Sequence, residues 1–132
     1  MFGRKKKEQK EIKVMHYEGL KDFSQDFPCT IEMTDDQFII KRIKPETTVN
    51  LPTKRILALD AMEEERFMLK YHNAKASTSK SEVIKKYYLV VRYQDTEGSE
   101  KYLAFWGTSS ESIKFIKLKQ EKMNTASSNY SL

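Results

Sequence analysis

The chain has few of the residues that mark secreted, metal-binding or membrane-spanning proteins. Its 132 residues include one cysteine, Cys29, and two histidines, His16 and His72. A lone thiol forms no intramolecular disulfide, and these three residues lack the paired spacing of a zinc site. No stretch approaches the roughly 20 apolar residues that cross a bilayer, and the basic start of the chain runs into charged residues instead of an apolar signal core. We therefore expect a cytoplasmic protein that holds no metal and no cofactor.

Motifs that carry common enzyme chemistry are also missing. The four glycines are scattered and form no phosphate-binding loop, and neither histidine belongs to a recognisable nucleophile–base motif. Cys29 occupies an apolar position in an alternating pattern, which is typical of a small buried hydrophobe. Adjacent carboxylates at 63–65, if they end a strand, alternate between its faces and do not converge on a cation. These features predict a protein without catalytic activity.

Positive charge is concentrated at the start of the chain. The net charge is +5; residues 1–14 carry six basic and two acidic side chains, a net +4, which leaves +1 for the rest. Such a segment could rest on an anionic bilayer, at roughly 1 kcal/mol per basic residue, or it could be a solvated terminus. The nearly neutral body argues against nucleic acid as a partner. The basic residues are Arg4, Lys5, Lys6, Lys7, Lys10 and Lys13.

Alternation of apolar and polar residues and, at residues 87–93, a run of aromatic and β-branched residues predict a series of short strands. After a flexible segment at 1–14 and an irregular segment at 15–28, clear alternation begins at Cys29. A further strand could cover Arg66 to Tyr71, although the glutamates before it favour a helix, and residues 72–82 read as an exposed loop. The predicted strands cover residues 29–34, 37–43, 48–51, 55–62, 87–93 and 101–106.

A helix is predicted to close the chain. Thr108 and Glu111 have the spacing of a capping box, in which the threonine hydroxyl meets a free amide and the glutamate reaches back to the cap amide. The apolar face of the helix is broad, and Leu118 falls outside it. That face comprises Ile113, Phe115, Ile116 and Met123.

This order of elements resembles the pleckstrin-homology-like (PH-like) fold, and more narrowly small bacterial proteins with PH-like domains. The resemblance implies a mainly β domain over residues 15–124, between the basic segment 1–14 and a frayed tail at 125–132. It also implies a partly open barrel of two near-orthogonal antiparallel sheets, closed by the C-terminal helix. The blocks that carry it are Tyr17–Leu20, Cys29–Met33 with Asp35, Asp36 and Phe38–Ile40, Leu51-Pro52 before Ile56, Tyr88–Tyr93, and the Ile113/Ile116 helix.

One connection departs from the pattern of phosphoinositide-binding PH domains. Those domains resemble one another in basic residues on the first strand-to-strand loop. Here the connection taken as the first is Thr34-Asp35-Asp36, which is short and acidic and would repel phosphate. Specific phosphoinositide binding is therefore not expected.

The function expected from these observations is a non-catalytic interaction module for a protein or peptide partner. The contact would use a sheet edge or outward-facing aromatic side chains, with loop 72–82 as an adjustable rim and self-association as a special case. The alternative is a peripheral binder of anionic membrane at the inner membrane face, through the basic segment. The candidate aromatic residues are Tyr102 and Trp106, beside Tyr87 and Tyr93.

Overall fold

The computed structural model describes residues 11–42, 46–73 and 85–127. Within these ranges the chain forms seven strands, a 3-10 turn at Thr53–Arg55, and two helices, α1 (Glu64–His72) and α2 (Ser109–Ser127). The expectation of a mainly β domain with a C-terminal helix is confirmed. The strands are β1 (Ile12–Glu18), β2 (Phe27–Met33), β3 (Gln37–Arg42), β4 (Thr47–Pro52), β5 (Ile56–Glu63), β6 (Tyr87–Gln94) and β7 (Glu100–Gly107).

All seven strands belong to one antiparallel sheet in the order β4-β3-β2-β1-β7-β6-β5. β4 and β5 lie at opposite edges, yet only the turn Thr53–Arg55 joins them. In a flat sheet these edges would be about 29 Å apart, whereas a link of three residues reaches only about 14 Å. The sheet must therefore curl, so that one face lies inside.

The inner face of the curled sheet holds the main core. It draws buried side chains from every strand, for example Val14, Ile31 and Phe105, and it includes Phe115 and Leu118 of α2. α2 therefore packs against the inner side of the sheet. Burial of one large apolar side chain contributes about 1.5–3 kcal/mol, so this shared cluster couples both halves of the sheet to the helix.

α1 covers the opposite face of the sheet, over β5, β6 and β7. Its Phe67 is fully buried and stacks on Tyr88, with ring centroids 4.4 Å apart. The same cluster contains Met62, Val90 and Ala104. The sheet is therefore covered on both faces in this region, and β5 runs along the edge between the two helices.

β1 corrects the expected boundary of the N-terminal segment. Residues 12–18 form a central strand that pairs with both β2 and β7, so neither the flexible segment at 1–14 nor the irregular segment at 15–28 is right for these residues. The inward positions are Ile12, Val14 and His16. The alternation was hidden because its third inward residue is a histidine and two of its outward residues are Met15 and Tyr17.

α1 also corrects the prediction of a strand at Arg66 to Tyr71. The helix begins with Glu64 and Glu65 and has Lys70 in its last turn, so that these charges lie favourably in the field of the helix dipole. Asn73 then adopts a left-handed conformation at φ 50° and ends the helix. The three glutamates at 63–65, which favour a helix, were therefore a better guide to this segment than the predicted strand. The predicted loop lies outside the described residues except for His72 and Asn73.

The start of α2 follows the predicted capping box in part. The Thr108 amide donates to Glu111 Oε1 at 2.8 Å, as expected. The Thr108 hydroxyl donates to the same carboxylate oxygen at 2.5 Å, rather than accepting from an amide. One of the two predicted capping bonds is thus present, and the second is replaced by a hydroxyl–carboxylate bond.

α2 is rotated about its axis relative to the predicted apolar face. Ser112, Phe115 and Leu118 are buried, whereas Ile113 is 56% exposed and Ile116 is 41% exposed. The expectation is confirmed for Phe115 and wrong for Ile113, Ile116 and Leu118, because the buried stripe starts at a small polar residue, Ser112, which does not count as apolar in the pattern. The side chain of Met123 lies outside the described part of the chain.

Candidate functional site

The structure does not bring the four candidate aromatic residues together. Tyr88 lies opposite Trp106 and Arg92 opposite Tyr102 in the β6–β7 register, so both candidates of β7 are on the face covered by α1. Tyr87 and Tyr93 occupy the odd positions of β6 and therefore lie on the other face. Tyr93 packs against the main core. A single four-residue aromatic patch does not exist in this fold.

The side chain of Tyr102 is engaged within the domain. Its ring centroid is 4.7 Å from that of Tyr71 on α1, and its hydroxyl donates to the Glu18 carboxylate. Burial, then the hydrogen bond to Glu18, raise the pKa of Tyr102 above its ordinary value, so the phenol remains a neutral donor. Tyr102 thus helps to hold α1 against the sheet.

The indole of Trp106 is also tied to neighbouring elements. Its Nε1–H donates to Asp26 Oδ1 at 2.7 Å, and the Nζ of Lys86 lies 4.5 Å from a Trp106 ring centroid. Trp106 is half-buried. It fastens the connection before β2 to β7, and it offers only part of its surface to a partner.

His16 is a structural residue of β1. Its Nε2 accepts from the Leu20 amide at 3.2 Å, and its Nδ1 donates to the Ser24 carbonyl at 3.0 Å. Burial lowers the pKa of His16 below its ordinary value of 6.5, so the ring stays neutral. Both ring nitrogens are occupied, which leaves none to activate Cys29.

Cys29 and His72 have no shared site either. Cys29 is 4% exposed, and burial raises the pKa of its thiol to about 12. This confirms the interpretation of Cys29 as a buried hydrophobe. His72 Nε2 lies 2.8 Å from Glu18 Oε2, so it ties the end of α1 to the end of β1.

The described ranges hold neither a cluster of metal-ligating side chains nor a membrane-spanning helix. Residues 11–42, 46–73 and 85–127 contain no group of three or more His, Cys, Asp or Glu side chains that could hold a metal ion. Neither helix, as far as these ranges describe them, is long and apolar enough to cross a membrane. Of the six basic residues singled out above, Lys13 is exposed on β1, and the other five lie outside the described residues.

β1 also changes which connection is the first between strands. It is the segment 19–26, not the turn after β2, and it carries Lys21 against Asp22 and Asp26. The Thr34 turn is tight, as predicted, with the Thr34 amide donating to the Gln37 carbonyl at 2.8 Å. The first connection is therefore not basic, and the absence of phosphoinositide recognition stays a prediction.

An open groove lies beside the end of β5, between the two helices. Its volume is about 530 Å³. Residues 61–63 of β5 line it together with Leu69 of α1 and Ile116 of α2, and the lining is completed by Glu65, Arg66, Tyr87 and Ser112. α1 and α2 cover opposite faces of the sheet, and both contribute side chains to this groove.

Large apolar side chains are exposed around this edge. Leu69 is 54% exposed and Ile116 is 41% exposed, and both line the groove. Ile113 lies one turn before Ile116 on α2, and Leu57 lies near the start of β5, where the register with β6 shifts. Exposed apolar side chains that share one groove, as Leu69 and Ile116 do, are typical of a binding surface.

The outer side of β5 also offers backbone hydrogen bonds. β5 is last in the strand order, and within the described residues only β6 pairs with it. Alternate amide and carbonyl groups of such an edge strand point outward and can pair with another chain. Lys119 of α2 reaches the middle of the strand, with its Nζ 3.8 Å from Asp60 Oδ1.

Comparisons with known proteins assign no family to this chain. No family model matches the chain, and no curated protein matches it.

Sequence reasoning named a sheet edge in general, but it missed Leu69 and Ile116 as exposed residues. Their exposure follows from the helical state of α1 and the rotation of α2, and only the acidic start of α1 was a readable signal.

Proposed function

We propose that this protein is a non-catalytic interaction module that binds an extended segment of a protein or peptide partner along the outer edge of β5. The observation that carries this proposal is the coincidence of an unpaired strand edge with a groove lined by Leu69 and Ile116. An edge strand alone is a common feature that proteins usually blunt. Here it is flanked by apolar side chains on both sides.

The bound segment adds to the sheet as an eighth strand. Backbone hydrogen bonds to β5 supply affinity, and alternate side chains of the segment point toward α1 and toward α2. Apolar residues at these positions contact Leu69 on one side and Ile116 on the other. Because each is already about half-buried, covering the rest of each side chain contributes about 1 kcal/mol.

The fold that we assign to this module is a PH-like partly open barrel. Its support is the order of the strands, in which β1 to β4 and β5 to β7 are consecutive and meet where β1 pairs with β7. The short corner at Thr53–Arg55 and the core shared by all strands and α2 agree with a curled sheet closed by a helix. The likeness to small bacterial proteins stays a prediction.

Peptide display tests the proposed function without knowledge of the natural partner. The probe is a library of random 12-residue peptides selected on the full chain. Enriched peptides should bind the chain, and Leu69→Asp and Ile116→Asp should each weaken that binding at least tenfold. Thr48→Asp, an exposed position on the other edge strand, is the matched control and should leave binding unchanged. Selected peptides that bind both groove variants as tightly as the wild-type chain would contradict the proposal.

A second function is favoured by the charge of the N-terminal segment, a net +4 over residues 1–14. Here the segment binds anionic membrane at the inner face of the membrane, with the domain as its carrier. Full-length protein should bind vesicles of anionic lipid but not neutral vesicles, and about 0.5 M salt should release it. The informative deletion removes residues 1–10, because residues 12–18 belong to β1. Vesicle binding that survives this deletion would exclude the basic segment as the anchor.

A further inference from the structure

The charges along β5 constrain the segment that can pair with it. Lys54 and Arg55 precede the strand, whereas Glu63 and Glu65 stand at its other end. Between these ends the residues are mostly apolar. In an antiparallel pairing the start of the incoming strand lies beside the acidic end of β5. A complementary strand therefore begins with basic residues, continues with apolar residues and ends with acidic ones.

β5 itself has this order of charges. Building on the proposed function, we propose that the segment bound at the edge is β5 of a second copy of this chain, paired antiparallel across a two-fold axis. Such an interface is self-complementary, because each contact made by one copy is repeated by the other. With the axis near Leu59, Arg55 of each copy lies opposite Glu63 of the other, with Lys54 and Glu65 close to this pair, so that each end of the interface holds two basic and two acidic groups.

The apolar groups are also complementary in this pairing. With the axis near Leu59, residue 57 of one copy lies opposite residue 61 of the other, since the two numbers add to twice 59. Leu57 is 47% exposed, and residues 61–63 line the groove. Each copy therefore places its exposed Leu57 beside the groove of the other, where Leu69 and Ile116 are also exposed.

One contact at the centre of the edge must give way. Lys119 Nζ lies 3.8 Å from Asp60 Oδ1, and the lysine side chain is 44% exposed. Ion pairs this exposed and this long are weak. A lysine side chain is flexible enough to leave the edge without movement of α2. We therefore expect Lys119 to slow or weaken self-pairing without preventing it, and Lys119→Ala to tighten it.

Charge reversal tests this interface in the full chain. The double variants Lys54→Glu/Arg55→Glu and Glu63→Lys/Glu65→Lys each place like charges at both ends of the pair. Sedimentation equilibrium should show that the wild-type chain forms a reversible dimer. The dissociation constant of the dimer should be at least tenfold larger for each double variant. An equimolar mixture of the two variants restores opposite charges at both ends and should form a heterodimer as tight as the wild type. Thr48→Asp should not change the dimer.

The outcomes separate this inference from the proposed function. A wild-type chain that stays monomeric while selected peptides bind the groove overturns the second copy as partner and leaves the module intact. A dimer whose strength is unchanged by either double variant, or a mixture that fails to restore it, also overturns the inference. Leu57→Asp gives a second readout for a chain whose charge variants do not fold: it removes the apolar contact and should weaken the dimer at least tenfold.

Discussion

The orientation of α2 can be tested by two truncations on the same helix, Leu118→Ala and Ile113→Ala. Leu118 is 4% exposed and belongs to the main core, whereas Ile113 is 56% exposed. Leucine-to-alanine truncations in a packed core destabilise by about 2–5 kcal/mol. Substitutions at exposed positions usually stay within about 0.5 kcal/mol, and the higher helix propensity of alanine further offsets the loss of an exposed isoleucine.

Urea unfolding followed by circular dichroism measures both free energies of unfolding. With a slope of about 1–3 kcal/mol per molar urea, Leu118→Ala should lower the midpoint by about 1 M or more. Ile113→Ala should leave the midpoint nearly unchanged, and the slope should be the same for all three proteins. All three are compared at one protein concentration, because self-association would make stability depend on it.

The opposite ranking would refute the structural reasoning behind the groove. If Ile113→Ala destabilised the domain more than Leu118→Ala, α2 would bury the face that the apolar pattern predicted. Ile116 would then turn toward the core with Ile113, and the α2 wall of the groove would lose its exposed apolar side chain. The relative stability of Leu118→Ala and Ile113→Ala therefore tests whether α2 presents an exposed apolar side chain to the proposed docking site.

Three further measurements test other parts of the account. Burial lowers the pKa of His16 below 6.5, so near this pH the unfolded chain binds a proton that the folded chain does not. The free energy of unfolding should therefore be undiminished above pH 6.5 and should decrease as the pH falls below 6.5. An NMR titration that gives His16 an unshifted pKa would contradict this. In urea unfolding, Gly19→Ala should destabilise the domain more than Gly98→Ala. Both positions have positive φ, but only at Gly19 would the new Cβ lie 2.8 Å from the Tyr102 carbonyl oxygen. Equal decreases in the free energy of unfolding would show that this close approach is absent. The Cys29 thiol, whose pKa burial raises to about 12, should resist a thiol reagent until urea unfolds the chain, and rapid labelling of native protein would contradict its burial.

The sequence was sufficient for elements whose signal is local. β2 alternates between apolar and polar residues, β6 and β7 are rich in aromatic and aliphatic residues, and short polar turns follow β2 and β6; the structure has both hairpins at nearly the predicted residues. The Thr108 amide bond to Glu111 was likewise readable from their spacing. In these places the local pattern and the tertiary contacts favour the same conformation.

Sequence reasoning failed where a polar residue occupies an inward position. His16 in β1 is buried because Ser24 and Leu20 satisfy both ring nitrogens, and the fold of the loop after β1 that brings them there is not revealed by any periodicity. Ser112 begins the buried stripe of α2 in the same way. The groove depends on both effects together with the position of α1, so its lining residues could not be read from any single segment.

Amide hydrogen exchange with a selected peptide bound, read residue by residue by NMR, is the most direct test of strand addition at β5. Outward-pointing amides of β5 (Ile56–Glu63) should become protected when the peptide binds, whereas amides of the other edge strand, β4 (Thr47–Pro52), should exchange as in the free chain. The same β5 amides should gain protection with protein concentration as the chain self-associates. Protection at β4 instead, or peptide binding with no change at β5, would contradict the central claim that the edge of β5 is the binding site.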